Sequence, residues 1–182
     1  MNNLDGKRFI EESFPVREVG AEGAREKNIR HGHISTLHIW WARRPLASSR
    51  ATNYASLINA PDPKDIDEWE RTRQFIANFS RWENSLNQGM IEKARRDILK
   101  ANGGIPPKVL DPFAGGGAIP LEALRLGCET YASDINPVAV LIEKCTLEYP
   151  QKYGNFKKNL EKNDEKWGLH PIVIIKICCS KM

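Results

Sequence analysis

The chain has 182 residues, of which 41% are apolar and 27% charged, and carries a net charge of +4. That fits a soluble globular protein with one domain and a sizeable core. No apolar run approaches the ~20 residues that a membrane-spanning helix needs.

The start, MNNLDGKRFIEESF, is polar and of mixed charge, without the cationic start and apolar stretch of a secretory signal. Cys128, Cys145, Cys178 and Cys179 show no paired spacing. Both features point to a reducing, cytoplasmic setting. The charge is uneven. Between residues 25 and 60, Arg25, Lys27, Arg30, Arg43, Arg44 and Arg50 face one acidic residue, Glu26, whereas the rest of the chain is close to balanced. A local basic cluster suggests a polyanion partner, although a solvated surface carries the same pattern.

In chain order, residues 1–34 are polar with scattered apolar anchors at Phe9, Ile10, Phe14, Val16 and Val19. Leu37–Trp41 is apolar and aromatic, suited to a strand or a buried loop. Pro45 opens a helix at its first position, with Leu46, Arg50, Tyr54 and Leu57/Ile58 on one face. Asp62 and Pro63 start the next helix, whose packed face takes Ile66, Trp69, Arg73, Ile76 and Phe79 and extends toward Trp82 and Leu86. A third helix covers Met90–Lys100 and ends near Gly103. These two helices, residues 61–104, are expected to be a packing appendage.

From Lys108 the pattern changes. KVLD is a short strand, AIPLEALRLG a helix stopped by Gly127, and CETYASD a second strand. INPVAVLIEKCTLEYP is a helix capped by Asn136 with Pro137 at its first position. Strand, glycine turn, helix, strand, helix is the opening of a doubly wound parallel α/β sheet, whose ligands sit at the carboxyl ends of the strands. Asp111, Pro112, Phe113, Ala114, Gly115, Gly116 and Gly117 occupy that end of the first strand; Asp134, Ile135 and Asn136 occupy it on the second. Glycines let backbone approach a ligand and adopt positive φ. Asp111 suits a cationic group, and Asp134 suits the two hydroxyls of a ribose. A dinucleotide fits less well: position 120 is proline where the GxGxxG turn has a small residue, and Asp111 repels phosphate. S-adenosylmethionine, cationic and without phosphate, fits better.

DPFAGGGAIPLEALRLGC, followed by YASDINPVAVLIEK, resembles the cofactor motifs of amino-methylating DNA methyltransferases. With IRHGHISTLHIWWARRPLASSRA, most of residues 1–166 resembles the N-terminal part of adenine-specific DNA methylases that carry a zinc ribbon. That family begins with a domain of unknown function, which residues 8–60 resemble. The resemblance implies an incomplete Rossmann-like, class I methyltransferase sheet after a largely helical N-terminal extension. It implies S-adenosyl-L-methionine as cofactor and DNA as partner. Asp111, Phe113, Gly115 and Gly117 would form the cofactor loop, Asp134 would bind ribose and Ile135 would flank adenine. The segment 36–45, with Thr36 and His38, would supply the far wall of the methionine pocket, with Trp41, Arg43, Arg44 and Pro45 as further candidates. Arg30, Arg43, Arg44 and Arg50 are candidate nucleic-acid contacts, although a buried aromatic cluster overlain by arginines reads equally well from the residues alone.

His31, His33 and His38 have no nearby Cys or Asp, so no metal is assigned. Cys178 and Cys179 are adjacent and make no C-x-x-C knuckle. Related enzymes align the exocyclic amine with an Asp/Asn/Ser-Pro-Pro-aromatic motif after the glycine turn. Here Pro106–Pro107 precedes the turn and is followed by Lys108. Too few residues follow Asp111 for several more strand–helix units of ~30 residues each. The expected organisation is therefore residues 1–60 as the family-specific segment, 61–104 as a helical insertion, and 105–166 as the start of the cofactor domain. Residues 167–182 form an atypical tail, read as a truncation or frame-shift product, in which IVIIKI could be a third strand. The expected function is the N-terminal part of a DNA adenine-N6 methyltransferase without its catalytic motif. The alternatives are a non-catalytic cofactor- or nucleic-acid-binding chain acting with a separate catalytic chain, and a methyltransferase of RNA or cytosine N4.

Overall fold

The computed structural model describes residues 6–29, 34 and 37–153. They form a mixed α/β structure, mostly helical, with one small parallel sheet. The elements are α1 (Phe9–Glu12), α2 (Val16–Glu26), α3 (Leu46–Leu57), α4 (Ile66–Ser80), α5 (Gln88–Ala101), β1 (Lys108–Asp111), α6 (Ala118–Arg125), β2 (Glu129–Ala132), α7 (Pro137–Glu143) and α8 (Tyr149–Tyr153). A π-helical turn, Lys144–Glu148, joins α7 to α8. No helix among the described residues is long and apolar enough to cross a membrane.

α3 is the hub, packed against α1, α2, α4 and α6. One continuous buried cluster takes Phe9 and Val19 from the start of the chain and Ala51, Tyr54 and Ile58 from in and just after α3. It adds Ile76, Phe79, Ile91 and Ile98 from α4 and α5, then Ala123, Leu126 and Cys128 next to the sheet. The helices of residues 61–104 thus share a core with the segments on either side. The N-terminus is tied in by an antiparallel bridge between Arg8 and Asn59, and Phe9 N–H donates to the Ile58 carbonyl at 3.1 Å.

Several helix boundaries differ from expectation, and each difference has a local cause. Pro45 stands just outside α3 in an extended conformation (ψ 136°). The first free N–H groups of α3 are met from α2, where the Glu26 carboxylate accepts Leu46 N–H at 2.9 Å and Ala47 N–H at 2.8 Å. Asp62 does not start α4. Its carboxylate closes a tight turn by accepting Lys64 N–H (2.8 Å), and Asp65 is the cap, accepting Glu68 N–H at 2.9 Å. Ile66 therefore sits in the first turn, exposed. α4 ends at Ser80, Trp82–Asn84 is a single 3-10 turn, and Leu86 is exposed. Leu37–Trp41 is neither strand nor buried loop: Leu37, Ile39 and Trp41 are exposed, and only Trp40 is partly buried.

β1 and β2 pair in parallel, from Lys108 opposite Glu129 to Asp111 opposite Ala132. Among the described residues the sheet has these two strands. The expected IVIIKI strand and the atypical tail lie outside the described residues. α7 begins as its sequence requires: Asn136 Oδ1 accepts Val138 N–H at 2.9 Å, and Pro137 takes the first position.

Candidate functional site

The parallel pair brings Asp111 and Asp134 to one end of the sheet. Backbone pairing continues past the strands: Ser133 N–H donates to the Asp111 carbonyl, and Ala114 N–H to the Ser133 carbonyl, each at 3.0 Å. The chain must then turn sharply into α6. Gly115 (φ 53°) and Gly117 (φ 74°) adopt the left-handed conformation that glycine enters without strain. Gly117 N–H closes the turn on the Ala114 carbonyl at 2.8 Å.

Asp134 braces this turn. Its Oδ2 accepts Gly115 N–H and its Oδ1 accepts Asn136 N–H, both at 2.8 Å. Each oxygen keeps further acceptor capacity, since a carboxylate offers about four lone-pair sites. Asp111 Oδ1 accepts Phe113 N–H at 3.1 Å. Burial pushes the Asp111 carboxyl above its usual range; the Phe113 hydrogen bond opposes this, the Asp134 charge adds to it and Arg44 opposes it.

A cavity of about 420 Å³ opens here, lined by Asp111, Phe113, Ala114, Gly115, Gly116 and Asp134 from the sheet end, by Ala118 and Ile119 of α6, and by Trp40, Ala42 and Arg44 from the N-terminal segment. Its size suits a nucleoside-sized ligand. Two carboxylates against one guanidinium give it an excess of negative charge, which favours a cation and disfavours phosphate.

Trp40 is the unexpected wall. A Cβ on Gly115 would lie 2.7 Å from Trp40 Nε1, and one on Gly116 would lie 3.2 Å from Trp40 Cβ. The bare main chain of the turn is thus closely approached by an indole of this chain. Trp41, singled out from sequence, stacks on Trp40 at 4.3 Å but is 78% exposed.

The other expected positions divide. Pro112 closes a contact with Ser133, whose hydroxyl donates to its carbonyl at 3.2 Å. Phe113 and Ile135 are 84% and 91% exposed at the rim side of the sheet end. Asn136 is occupied as the α7 cap. His38 and Arg43 line a smaller hollow of about 20 Å³ with Trp40, Leu46, Gly116, Ile142 and Thr146. Thr36 and Arg30 lie outside the described residues, as do His31 and His33. Among the described residues, no three His, Cys, Asp or Glu side chains are grouped to hold a metal ion.

Arg50 leaves the set of polyanion contacts. It is 2% exposed, its Nε donates to the Phe79 carbonyl at 2.8 Å, and its Nη2 donates to the Ser80 and Arg81 carbonyls at 3.2 and 3.3 Å. Its Nη1 lies 3.6 Å from Glu122, which also pairs with Arg125 at 2.8 Å. Arg25 is engaged too, with Glu83 at 2.6 Å. The basic cluster of residues 25–60 is therefore not one positive surface; Arg44 is the arginine placed at the cavity.

Glu143, at the end of α7, is not among the residues that the sequence singles out. It is completely buried and neither of its oxygens has a hydrogen-bond partner. Its Cγ lies 3.6 Å from where a Cβ on Gly117 would stand, so it runs behind the glycine turn. Burial first, then the Asp134 and Asp111 charges, push its carboxyl up to about 7. A signal for it exists: Ala139, Glu143 and Thr146/Leu147 recur at helical spacing and all are buried, so a lone carboxylate interrupts an apolar face.

Residues 13–83 match a family model described as a protein of unknown function (DUF1156). The matched stretch covers α2, α3 and α4, and includes Trp40 and Arg44. No curated protein and no solved structure matches the chain.

Proposed function

We propose that this chain is the cofactor-binding, N-terminal part of an S-adenosylmethionine-dependent DNA methyltransferase acting on adenine N6. In this reading β1–α6–β2–α7 is the opening of a Rossmann-like sheet. The observation that carries it is the convergence of Asp111 and Asp134 on one cavity beside a left-handed glycine turn. The cavity is nucleoside-sized, and its excess of carboxylates over the Arg44 guanidinium disfavours phosphate, which matches a cationic nucleoside.

Asp134, braced on Gly115 and Asn136, accepts the ribose hydroxyls with its remaining lone pairs. Asp111 faces the cationic methionine end. Trp40 and Arg44, from the segment matched to the family of unknown function, form the opposite wall. S-adenosylmethionine supplies the methyl group, which passes to the adenine amine with loss of one amine proton and release of S-adenosylhomocysteine. The sequence after the glycine turn carries no Pro-Pro-aromatic motif to align that amine, so these 182 residues alone are expected to transfer no methyl group to DNA.

A second reading is a binding chain that acts with a separate catalytic chain. Leu110, Phe113, Ile135 and Leu141 favour it: they are apolar and exposed around the sheet end and α7. Methyl transfer that appears only on adding a chain with the Pro-Pro-aromatic motif would select this reading. RNA and cytosine N4 as acceptors are separated by the same assay with different acceptors.

The direct test is calorimetry with S-adenosylmethionine. Wild type is expected to bind, and Asp134→Asn, which keeps an acceptor for the turn but loses the charge, to bind at least tenfold more weakly. The 2′-deoxy analogue should lose affinity on wild type and little on the variant. Equal affinities throughout would overturn the ribose role, and no binding to wild type would overturn the cofactor reading.

A further inference from the structure

We infer that Glu143 is a charge-selecting positioning residue of the cavity: from behind the glycine turn, its ionised carboxylate favours a ligand bearing positive charge over its neutral counterpart. The inference rests on the cofactor reading above and adds a residue and a proton to it.

The geometry comes first. Glu143 closes α7, is wholly buried, and sends its side chain beneath Gly117. It does not line the cavity and touches no ligand position; it acts through the turn. A buried carboxylate with neither oxygen hydrogen-bonded is costly and calls for a reason. A neighbouring hydroxyl, Thr146 Oγ1, donates to the Ile142 carbonyl at 2.8 Å.

The charged groups around it are these. Asp134, from the connection before α7, and Asp111, from the end of β1, are both negative and both oppose its ionisation. Arg44 lines the cavity, and its charge acts on Asp111. Arg43 and His38 line the small hollow next to Ile142 and Thr146. Against three carboxylates the cavity itself offers one guanidinium. The missing compensation is a cation within the cavity, and a sulfonium is one.

The consequence follows by linkage. With its carboxyl at about 7 in the free protein, Glu143 is largely protonated at pH 6 and largely ionised at pH 7.5. A cationic ligand favours the ionised form, so binding expels the proton and affinity rises with pH until Glu143 is already ionised. A ligand with a neutral sulfur gains less. In the proposed reaction this discriminates substrate from product, because methyl loss converts the sulfonium to a thioether.

The test is calorimetry with S-adenosylmethionine and S-adenosylhomocysteine at pH 6 and 7.5, on wild type and Glu143→Gln. On wild type, affinity for S-adenosylmethionine should rise across that interval, by up to about eightfold where the bound ligand keeps Glu143 fully ionised, and that for S-adenosylhomocysteine clearly less. Glu143→Gln should abolish the difference between the two ligands' pH dependences. Wild type supplies a second readout should the variant not fold: in buffers of different ionisation enthalpy at pH 6.5, up to about three-quarters of a proton should leave per S-adenosylmethionine bound, and clearly less per S-adenosylhomocysteine. Binding without proton release, or an unchanged pH profile in Glu143→Gln, overturns the role of Glu143 and leaves the cofactor reading intact. Binding of neither ligand at either pH overturns both.

Discussion

The unpartnered carboxylate of Glu143 has a measurable consequence for folding, independent of any ligand. Its carboxyl stands at about 7 in the folded chain against 4.5 for an unperturbed glutamate. Between those two values the folded state holds more protons than the unfolded state. The associated stability is fully present below pH 4.5 and is lost as pH rises through 7. Each pH step of one between the two values removes ~1.4 kcal/mol, so the loss amounts to about 3 kcal/mol, most of which falls between pH 5 and 8. Glu143→Gln removes the titration while keeping the shape. Its amide is left short of partners at every pH, so the absolute stability of the variant carries an added cost and the informative quantity is the slope. Urea unfolding at pH 5 and 8 should show wild type losing about 2–3 kcal/mol more than the variant over that interval. Glu122, whose carboxyl burial also raises, titrates in both proteins and cancels, whereas Asp111, whose charge acts on Glu143, cancels in part. Parallel pH dependences in the two proteins would refute the claim that Glu143 is buried without compensation.

Arg50→Met should cost about 3–5 kcal/mol, because it strips three carbonyls at the end of α4 of their donor and leaves buried Glu122 with Arg125 alone; thermal unfolding checks this. If the chain contacts DNA as proposed, Arg44→Ala should weaken that binding in low salt and leave the melting temperature within a few degrees. Gly115→Ala should destabilise by more than Gly104→Ala: both residues have positive φ, but a Cβ at Gly115 meets the Trp40 indole at 2.7 Å and one at Gly104 meets nothing within 4 Å. Trp40→Ala should erase that difference in a double-mutant cycle. Asp65→Ala should cost about 1 kcal/mol through loss of the α4 cap, whereas Asp62→Ala should cost less, an ordering that urea titration resolves.

The elements from Lys108 to the start of α7 are legible in the sequence because their signals are local, whereas the single helix expected through Pro150 is broken by the π-helical turn Lys144–Glu148. An apolar run before glycines, and an Asn-Pro start of a helix, act within a few residues and need no distant partner. The departures lie where a distant residue decides. Pro45 yields the start of α3 to Leu46 because a carboxylate twenty residues upstream, Glu26, satisfies the first N–H groups. Arg50 reads as a surface cation until α4 folds across it and presents three carbonyls. Trp40 and Trp41 are indistinguishable in sequence, and only the approach of the glycine turn decides which indole is covered. Asp111 and Asp134 are legible as a pair, because parallel pairing of the two strands carries both to the same end.

The family-matched segment and the glycine site are physically one object. Trp40 and Arg44 fall within residues 13–83, and Asp111, Gly115 and Asp134 fall outside them, yet all five line one cavity. The same coupling runs through the core: α3 packs on α6, Asn53 Nδ2 donates to the Ile119 carbonyl at 3.0 Å, and Arg50 meets Glu122 of α6. The matched segment thus holds the helix that follows the glycine turn and closes over the turn itself. Without it, Gly115 and Gly116 would lose the indole that excludes side chains there, and the cavity would lose its only lining arginine among the described residues. A function sought for the matched segment by itself would therefore miss half of its site.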